Sequence, residues 1–280
     1  MTAGLSRTLV GPDGARLHVL RRSPVDPGRT AVLLLHQVPS SSWMWHRVMS
    51  EEALEGHTVL APDLPGYGGS DALGEPPRLE ALAAHLVSSI AELHDGPLVA
   101  VGHHTGAMLA AVLLARHPDV VTSAMAFGLP YEREWIVRYE KMGAFERLSP
   151  SDDPGQLQRF WDYTAASFQP DSDPTWTLRA MSDRLVAGPA WFHGYVALHT
   201  HDAARTLREL RERGAPIDLI YSRQDAVSRC ALDAQTDLGR EPRWIDGRAW
   251  VTLEEPGVVS GEIARHLQEH DSSPDSGVAP

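Results

Sequence analysis

The sequence has little cysteine, little lysine and no long apolar run. Cys230 is the only cysteine among 280 residues, which excludes an internal disulfide framework and suits a reducing compartment. Lys141 is the only lysine, so arginine carries nearly all of the positive charge. No apolar run approaches the roughly 20 residues needed to cross a bilayer, and residues 1–20 lack the apolar core of a secretory signal. We therefore expect a cytoplasmic protein that does not bind membranes.

Positive charge is also scarce overall. The formal net charge is −12 at pH 7, which argues against nucleic acid or an anionic membrane surface as a partner. The hydrophobic fraction of 42% and the charged fraction of 22% are ordinary for a globular protein, and 280 residues suffice for one large domain with an insertion. We expect a monomer or homodimer that acts on a small molecule and uses neither a cofactor nor a metal.

Apolar strand patterns alternate with helical patterns along most of the chain. Strands are predicted over residues 7–10, 16–20, 30–35, 58–61, 97–102, 121–127, 215–221 and 243–245. Helical patterns cover residues 79–93, the segment after residue 104 and residues 257–270. Alternation of this kind predicts a mostly parallel, twisted sheet flanked by helices.

One segment has a different composition. Residues 129–213 contain scattered aromatic residues and helical pieces but no clear buried strand. An all-helical insertion after the sixth core strand is expected to form a lid over the sheet. The predicted division is therefore a core of residues 1–128 and 214–270, a lid of residues 129–213 and a disordered tail of residues 271–280.

The centre of the chain is predicted to be a strand, a sharp turn and a buried helix. An apolar run ends at Gly102, the turn His103-His104-Thr105 follows, and an Ala- and Leu-rich helical pattern begins at Gly106. Glycine is expected at both ends of such a turn, because the strand and helix backbones approach closely there and only hydrogen fits. The pattern thus places His104 at the apex of the turn.

Four motifs resemble those of the α/β-hydrolase fold, in the capped group that includes epoxide hydrolases, haloalkane dehalogenases and cofactor-free dioxygenases. His36-Gln37-Val38-Pro39 is similar to the H-G-x-P oxyanion loop, with glutamine in place of glycine, and residues 63–70 are similar to the D-x-P-G-x-G-x-S loop. Residues 102–106 resemble the G-x-S-x-G turn that carries the nucleophile. Residues 221–225 resemble the Y-G-x-x-D segment that supplies the acid. The resemblance implies this fold with a helical lid.

The same resemblance exposes a degenerate catalytic triad. His104 stands where the family has its nucleophile, and Ala249 stands where the family has its histidine when residues 253–256 are aligned with L-E-x-P. Only the acid position, Asp225, is retained. The resemblance therefore does not imply hydrolysis by a Ser-His-Asp triad, which needs a nucleophile, a base and an orienting acid.

His104 and Asp225 are nevertheless the predicted catalytic residues. The ring of His104 is expected to lean into the space that Ala249 leaves and to point toward Asp225, which would orient it. The oxyanion hole is expected to survive, because its donors are the backbone N–H groups of Val38 and Thr105 and do not depend on side-chain identity. The expected pair is thus a base and its orienting acid, facing two N–H donors.

The predicted substrate pocket lies between this turn and the lid. Its wall is expected to combine polar side chains near the turn, aromatic side chains and the alanine that replaces the histidine: Gln37, His103, Trp45, Trp161, Trp191, Ala249 and Trp250. A pocket of this composition favours a fairly hydrophobic small molecule.

These residues leave three functions open. The first is a cofactor-independent, non-hydrolytic enzyme that performs isomerisation, cyclisation, elimination or oxygenation on a hydrophobic carbonyl compound, as in natural-product biosynthesis. A base that faces two N–H donors suits proton abstraction next to a carbonyl. The second is an esterase or epoxide hydrolase that uses His104 or a water molecule activated by it. The third is a ligand-binding protein without catalytic activity.

Overall fold

The computed structural model describes residues 4–23, 30–74, 77–133 and 151–270. Its centre is an eight-stranded sheet of β1 (Ser6–Val10), β2 (Leu17–Arg22), β3 (Ala31–Leu35), β4 (Val59–Pro62), β5 (Leu98–His103), β6 (Val121–Phe127), β7 (Ile217–Ser222) and β8 (Arg243–Ile245). The order across the sheet is β1-β2-β4-β3-β5-β6-β7-β8. The β1–β2 and β2–β4 pairs are antiparallel and all the others are parallel. The mostly parallel sheet predicted from the sequence is confirmed.

Helices flank this sheet. In the described residues they are, in chain order, α1 (Leu79–Ile90), α2 (Thr105–Arg116), α3 (Pro154–Ala166), α4 (Pro174–Val186), α5 (His193–Thr200), α6 (Ala203–Glu212), α7 (Ala231–Leu238), α8 (Val251–Glu254) and α9 (Pro256–His270). Short 3₁₀ turns occupy residues 42–45, 48–50, 52–54, 188–190 and 226–230. None of the helices in the described part of the chain is both long enough and apolar enough to pass through a lipid bilayer.

The central strand β3 shows why its sequence is apolar throughout. All five of its residues are buried. Leu33 and Leu35 pack into the hydrophobic cluster on one face, together with α1 and α2, whereas Val32 and Leu34 pack into the cluster on the other face, together with α9. Alternate side chains of a strand point to opposite faces, so a strand that is covered on both sides needs an unbroken apolar run.

The helices between β6 and β7 form the predicted insertion after the sixth strand. Side chains of α3, α4 and α5 line a cavity that also contains the residue following β5. In contrast, Leu207 and Leu210 of α6 are buried in the core cluster, where α6 packs against α2 and α7. We therefore place the end of the lid before Ala203 instead of at residue 213. Residues 134–150, predicted to lie in the lid, and the predicted disordered tail of residues 271–280 lie outside the described residues.

Candidate active site

The turn between β5 and α2 holds His104 in a strained backbone conformation. Its φ of 48° and ψ of −114° lie outside the regions that non-glycine residues ordinarily adopt. A Cβ on Gly102 would lie 2.0 Å from the carbonyl oxygen of Gly106, and a Cβ on Gly106 would lie 2.2 Å from that of Leu35. Close backbone approach therefore requires both glycines, as the sequence predicts.

The side chain of His104 is hydrogen-bonded to Asp225, which follows β7. Nε2 of His104 lies 2.6 Å from Oδ2 of Asp225. The other carboxylate oxygen accepts from the backbone N–H of Val227 at 3.0 Å. Burial by itself raises the pKa of Asp225, but the imidazoles of His104 and His103 and the N–H of Val227 together hold this pKa well below its ordinary value. The carboxylate is therefore ionised at neutral pH and only accepts hydrogen bonds.

This contact assigns the two ring nitrogens of His104. Because the carboxylate of Asp225 only accepts, Nε2 carries the hydrogen in their bond, and in the neutral ring Nδ1 keeps a lone pair. Among the residues that the structure describes, none forms a hydrogen bond with Nδ1, and this atom is not enclosed by protein. The His104 side chain is 17% exposed. The ring thus offers a proton acceptor to whatever occupies the space beside it.

A cavity of about 320 Å³ opens in front of this pair. His104 and Thr105 line it from the turn, and residues of α3, α4 and α5 line it from the lid. Four further residues that sequence analysis assigns to the oxyanion hole or the substrate wall also line it: Gln37, Val38, Ala249 and Trp250. The volume lies in the range of small-molecule sites.

Val38 and Thr105 carry the backbone N–H groups that are the candidate oxyanion donors. Thr105 is the first residue of α2, where N–H groups have no acceptor within the helix. The loop of Val38 is held by His36, whose Nδ1 donates to the carbonyl of Gln37 at 2.7 Å and whose Nε2 accepts from the N–H of Leu64 at 2.8 Å. The two donors therefore border the cavity on well-supported backbone.

His103 lies behind the pair, in the core. Its side chain is 1% exposed, its ring centroid lies 4.2 Å from that of His104, and its Nδ1 has no hydrogen-bond partner. Burial and the adjacent His104 ring keep the pKa of His103 well below its ordinary value, so the ring is neutral. Sequence analysis predicts substrate contact for His103, but the residue does not line the cavity because strand alternation turns it inward.

His103, His104 and Asp225 also carry atoms of the kinds that bind metal ions. Ligand atoms of His103, His104 and Asp225 lie within 4.8 Å of one another. An ion held by all three would have to displace the 2.6 Å bond between His104 and Asp225, so the pair fits a hydrogen-bonded dyad better than a metal site. Within the described residues, a second cluster of this kind combines Asp218, His266 and His270.

Three of the predicted wall residues do not line the cavity. Trp45 is fully buried in the hydrophobic cluster on the α9 face of the sheet. Trp161 of α3 is 37% exposed, and Trp191 packs edge-on against Phe160 inside the lid. These three side chains are absent from the cavity wall, since an aromatic-rich segment predicts packing but does not specify which rings face a cavity.

Ala249, at the position where the family has its histidine, borders a second and smaller cavity. A second cavity of about 140 Å³ lies beside Ala249 and reaches Asp225. His104 does not line this smaller space, but it lines the larger cavity together with Ala249. Its ring lies over Gly128, where a Cβ would be 2.8 Å from Cδ2 of the imidazole. The predicted hydrogen bond to Asp225 is present all the same.

Sequence analysis misses the polar residues that the lid contributes. Arg184 of α4 and Tyr195 of α5 line the cavity, and Tyr163 of α3 contributes to the walls of both cavities. No motif marks these positions, because the resemblance covers the lid only loosely. The available signal was their position on helices of the predicted lid.

Hydrogen bonds tie the lid to the core on two sides of the cavity. The Tyr67 hydroxyl donates to the carbonyl of Trp191 at 3.0 Å and accepts from the N–H of Gly194 at 2.9 Å. On the other side, Nε1 of Trp250 donates to Oγ of Ser167 at 2.9 Å. These bonds hold α3 and α5 against the core around the cavity.

Comparison with known proteins identifies relatives of this chain. A family model described as alpha/beta hydrolase fold matches residues 30–229. A protein named epoxide hydrolase from Caballeronia sordidicola is 28% identical over 184 residues, which are 65% of this chain and 52% of that protein. The protein named lipase LipV from Mycobacterium tuberculosis is 36% identical over 183 residues, which are 64% of this chain and 66% of that protein. The alignments thus span about half to two thirds of the length of these relatives.

Solved structures show the same fold. The enol-lactonase from Burkholderia xenovorans LB400 superposes with a TM-score of 0.72 at 16% identity, over 93% of this chain and 100% of that chain. The thioesterase domain from the curacin biosynthetic pathway superposes with a TM-score of 0.70 at 18% identity, over 93% of this chain and 99% of that chain. At this level of identity the likeness extends to the fold alone.

Proposed function

Because the chain belongs to the α/β-hydrolase fold family, by its match over residues 30–229, we propose that it is a hydrolase whose nucleophile is a water molecule activated by His104. The relatives named above are an epoxide hydrolase and a lipase. These names favour the hydrolytic alternative over the non-hydrolytic chemistry that the sequence alone suggested. We therefore put hydrolysis first.

One observation carries the proposal: the 2.6 Å bond between His104 and Asp225. It engages Nε2 of the imidazole and leaves Nδ1 as the free nitrogen. A carboxylate that accepts from one ring nitrogen fixes the tautomer and holds the ring in one orientation. The pair therefore works as a general base and its positioning residue, and it needs no nucleophilic side chain at the turn.

In the proposed reaction, His104 promotes the hydrolysis of an ester or a lactone. Nδ1 of His104 takes a proton from water while the water oxygen bonds to the carbonyl carbon. The negative charge that forms on the carbonyl oxygen is stabilised by the N–H groups of Val38 and Thr105. When the tetrahedral intermediate collapses, the bond to the leaving oxygen breaks and Nδ1 returns the proton to that oxygen. An ester gives a carboxylic acid and an alcohol, a lactone gives a single hydroxy acid, and the base is regenerated.

The test compares wild type with His104→Ala and Asp225→Asn on a panel of short esters, lactones and styrene oxide. Removing the base is expected to lower kcat by about 10²–10⁴-fold. Removing the negative charge of the positioning residue is expected to cost less, about 10–100-fold, because the imidazole remains. A serine-directed fluorophosphonate should not label the wild-type protein. Equal turnover in His104→Ala, or labelling at the turn, would contradict the proposal.

Proton abstraction next to a carbonyl is the second candidate, because His104, Val38 and Thr105, which carry the candidate base and the two candidate N–H donors, line one cavity. Its product is an enolate that rearranges or is reprotonated without loss of a leaving group. A ketone incubated with the enzyme in D₂O separates the two functions. Deuterium incorporation next to the carbonyl that depends on His104, without ester turnover, favours this second candidate over hydrolysis.

A further inference from the structure

Arg184 of α4 is a buried cation in the wall of the cavity. Its side chain is 8% exposed and it lines the same space as His104. The guanidinium carbon lies 4.1 Å from the centroid of the Phe160 ring and 4.4 Å from that of the Trp191 ring. Two aromatic faces stabilise a cation, but they accept no conventional hydrogen bond from it.

Among the residues that the structure describes, no acidic side chain neutralises this guanidinium. Within the described residues, no carboxylate lies at salt-bridge distance from Arg184; the adjacent Asp183 is bonded to Ser41 at 2.8 Å and to Arg179 at 3.2 Å instead. The hydroxyl of Tyr195 accepts one hydrogen bond from Arg184. Nη1 of Arg184 is buried and has no hydrogen-bond partner in the described part of the chain.

The charge of Arg184 persists despite its burial. Burial lowers the pKa of the guanidinium, and the hydroxyls of Tyr195 and Tyr163 raise it. Guanidinium groups remain protonated in proteins at neutral pH. An uncompensated buried charge is strongly unfavourable, so the arrangement is best explained by an anion that completes it when the cavity is filled.

We propose that Arg184 anchors a carboxylate-binding subsite, so that the substrate is a small organic acid whose carboxylate lies against Arg184 while its reacting carbonyl group faces His104. A carboxylate matches the planar fork of a guanidinium and carries the single charge that one arginine neutralises. This inference rests on the proposed function only for the reacting end of the molecule. The subsite itself is defined by binding and is measured without turnover.

A matched pair of probes tests the subsite. The probes are 4-phenylbutyrate and 4-phenylbutanamide, which have the same size and differ in charge, and binding is measured by isothermal titration calorimetry. Wild type is expected to bind the carboxylate at least about tenfold more tightly than the amide. Arg184→Met should remove this preference and leave the affinity for the amide within about threefold. Arg184→Lys should retain part of it, because a charge remains without the fork.

Two controls separate the subsite from other effects. Arg179→Met removes a cation from the same helix that is 50% exposed and does not line the cavity, and it should keep the wild-type preference. His104→Ala should also keep the preference, so that failure of the catalytic proposal leaves this inference intact. Thermal unfolding establishes that each variant is folded. If Arg184→Met does not fold, the inference is tested by the preference of wild type for the carboxylate over the amide and by the reduction of this preference in Arg184→Lys.

Several results would overturn the inference. One is equal affinity of wild type for the acid and the amide, and another is no carboxylate binding at concentrations up to about 10 mM. A folded Arg184→Met variant that retains the full preference would show that another group binds the anion. If a phosphonate of the same size binds more tightly than the carboxylate, the subsite is selective for a phosphate-like group instead of a carboxylate.

Discussion

Nε2 of His104 lies 2.6 Å from Oδ2 of Asp225, although the two residues follow strands that are not neighbours in the sheet. β6 lies between β5 and β7, and Gly128 follows β6 at the contact. A Cβ on Gly128 would lie 2.8 Å from Cδ2 of His104 and 3.5 Å from Oδ2 of Asp225. The pair therefore meets across a position where a side chain would intrude.

Gly128→Ala is expected to impair the pair directly. The new methyl group must push the imidazole away from Asp225, so kcat should fall by about 10–100-fold, as for other losses of a positioning contact. Stability should fall as well, because φ at this position is +59°.

Gly214→Ala is the matched control for this change. Gly214 has a similar φ of +62°, but a Cβ there would meet nothing within 4 Å. Its variant should lose stability without losing kcat, as measured by urea unfolding and steady-state kinetics. Equal kcat in both alanine variants would show that the 2.6 Å contact does not limit the reaction.

The space beside Ala249 predicts that a complete triad can be rebuilt. In the double variant His104→Ser/Ala249→His, the introduced histidine enters the cavity of about 140 Å³ that reaches Asp225. The introduced serine inherits the strained turn that presents a nucleophile. We expect a burst of p-nitrophenol from p-nitrophenyl acetate and labelling by a fluorophosphonate. Each single variant serves as a control and should show neither, because each lacks one member of the triad.

Backbone strain at His104 predicts an unusual preference for glycine. Both His104→Gly and His104→Ala lose the bond to Asp225. The difference between their free energies of unfolding therefore reports the cost of the backbone conformation at position 104. Relief of the positive φ contributes about 1–3 kcal/mol in favour of glycine, and the greater entropy of unfolded glycine offsets about 0.5–1 kcal/mol of this. The glycine variant should therefore be more stable by about 1 kcal/mol in chemical denaturation.

A helix position without strain provides the opposite reference. Ala84 is exposed in the middle of α1, and Ala84→Gly should cost about 1 kcal/mol. An alanine variant at position 104 that is as stable as the glycine variant would contradict the strain argument.

His199 of α5 predicts a loss of stability in mild acid. Burial lowers the pKa of this histidine from 6.5 to about 4. The unfolded chain therefore takes up the proton at a higher pH than the folded chain. The stability that neutral His199 contributes is full above pH 6.5 and is lost as the pH falls toward 4. The loss reaches about 3 kcal/mol in the free energy of unfolding.

The variant His199→Gln isolates this contribution. It removes the titrating group and should flatten the decline of the unfolding free energy between pH 6.5 and pH 4. Urea unfolding at several pH values measures the slope. An identical slope in wild type and His199→Gln would show that another group dominates the pH dependence.

The sequence by itself determined the sheet and the turn. The predicted limits of β6 and β8 agree with the structure, since short-range apolar patterns dictate them. The glycines at positions 102 and 106 were interpretable because backbone crowding within a strand–turn–helix unit depends on neighbours in the chain. Helix α7 was missed, because it has only 8 residues, so its buried residues Ala231, Ala234 and Leu238 have helical spacing over little more than two turns.

Only the tertiary structure decided which distant residues share the cavity. Trp45 and Trp250 look alike as aromatic candidates, but the first packs beneath the sheet and the second lines the cavity. Arg184 and Gly128 carry no motif, although one places a cation in the wall of the cavity that His104 also lines and the other lets His104 reach Asp225. Such contacts follow from strand order and from the docking of lid helices on the core. Both depend on interactions between residues far apart in the chain, which local patterns do not encode.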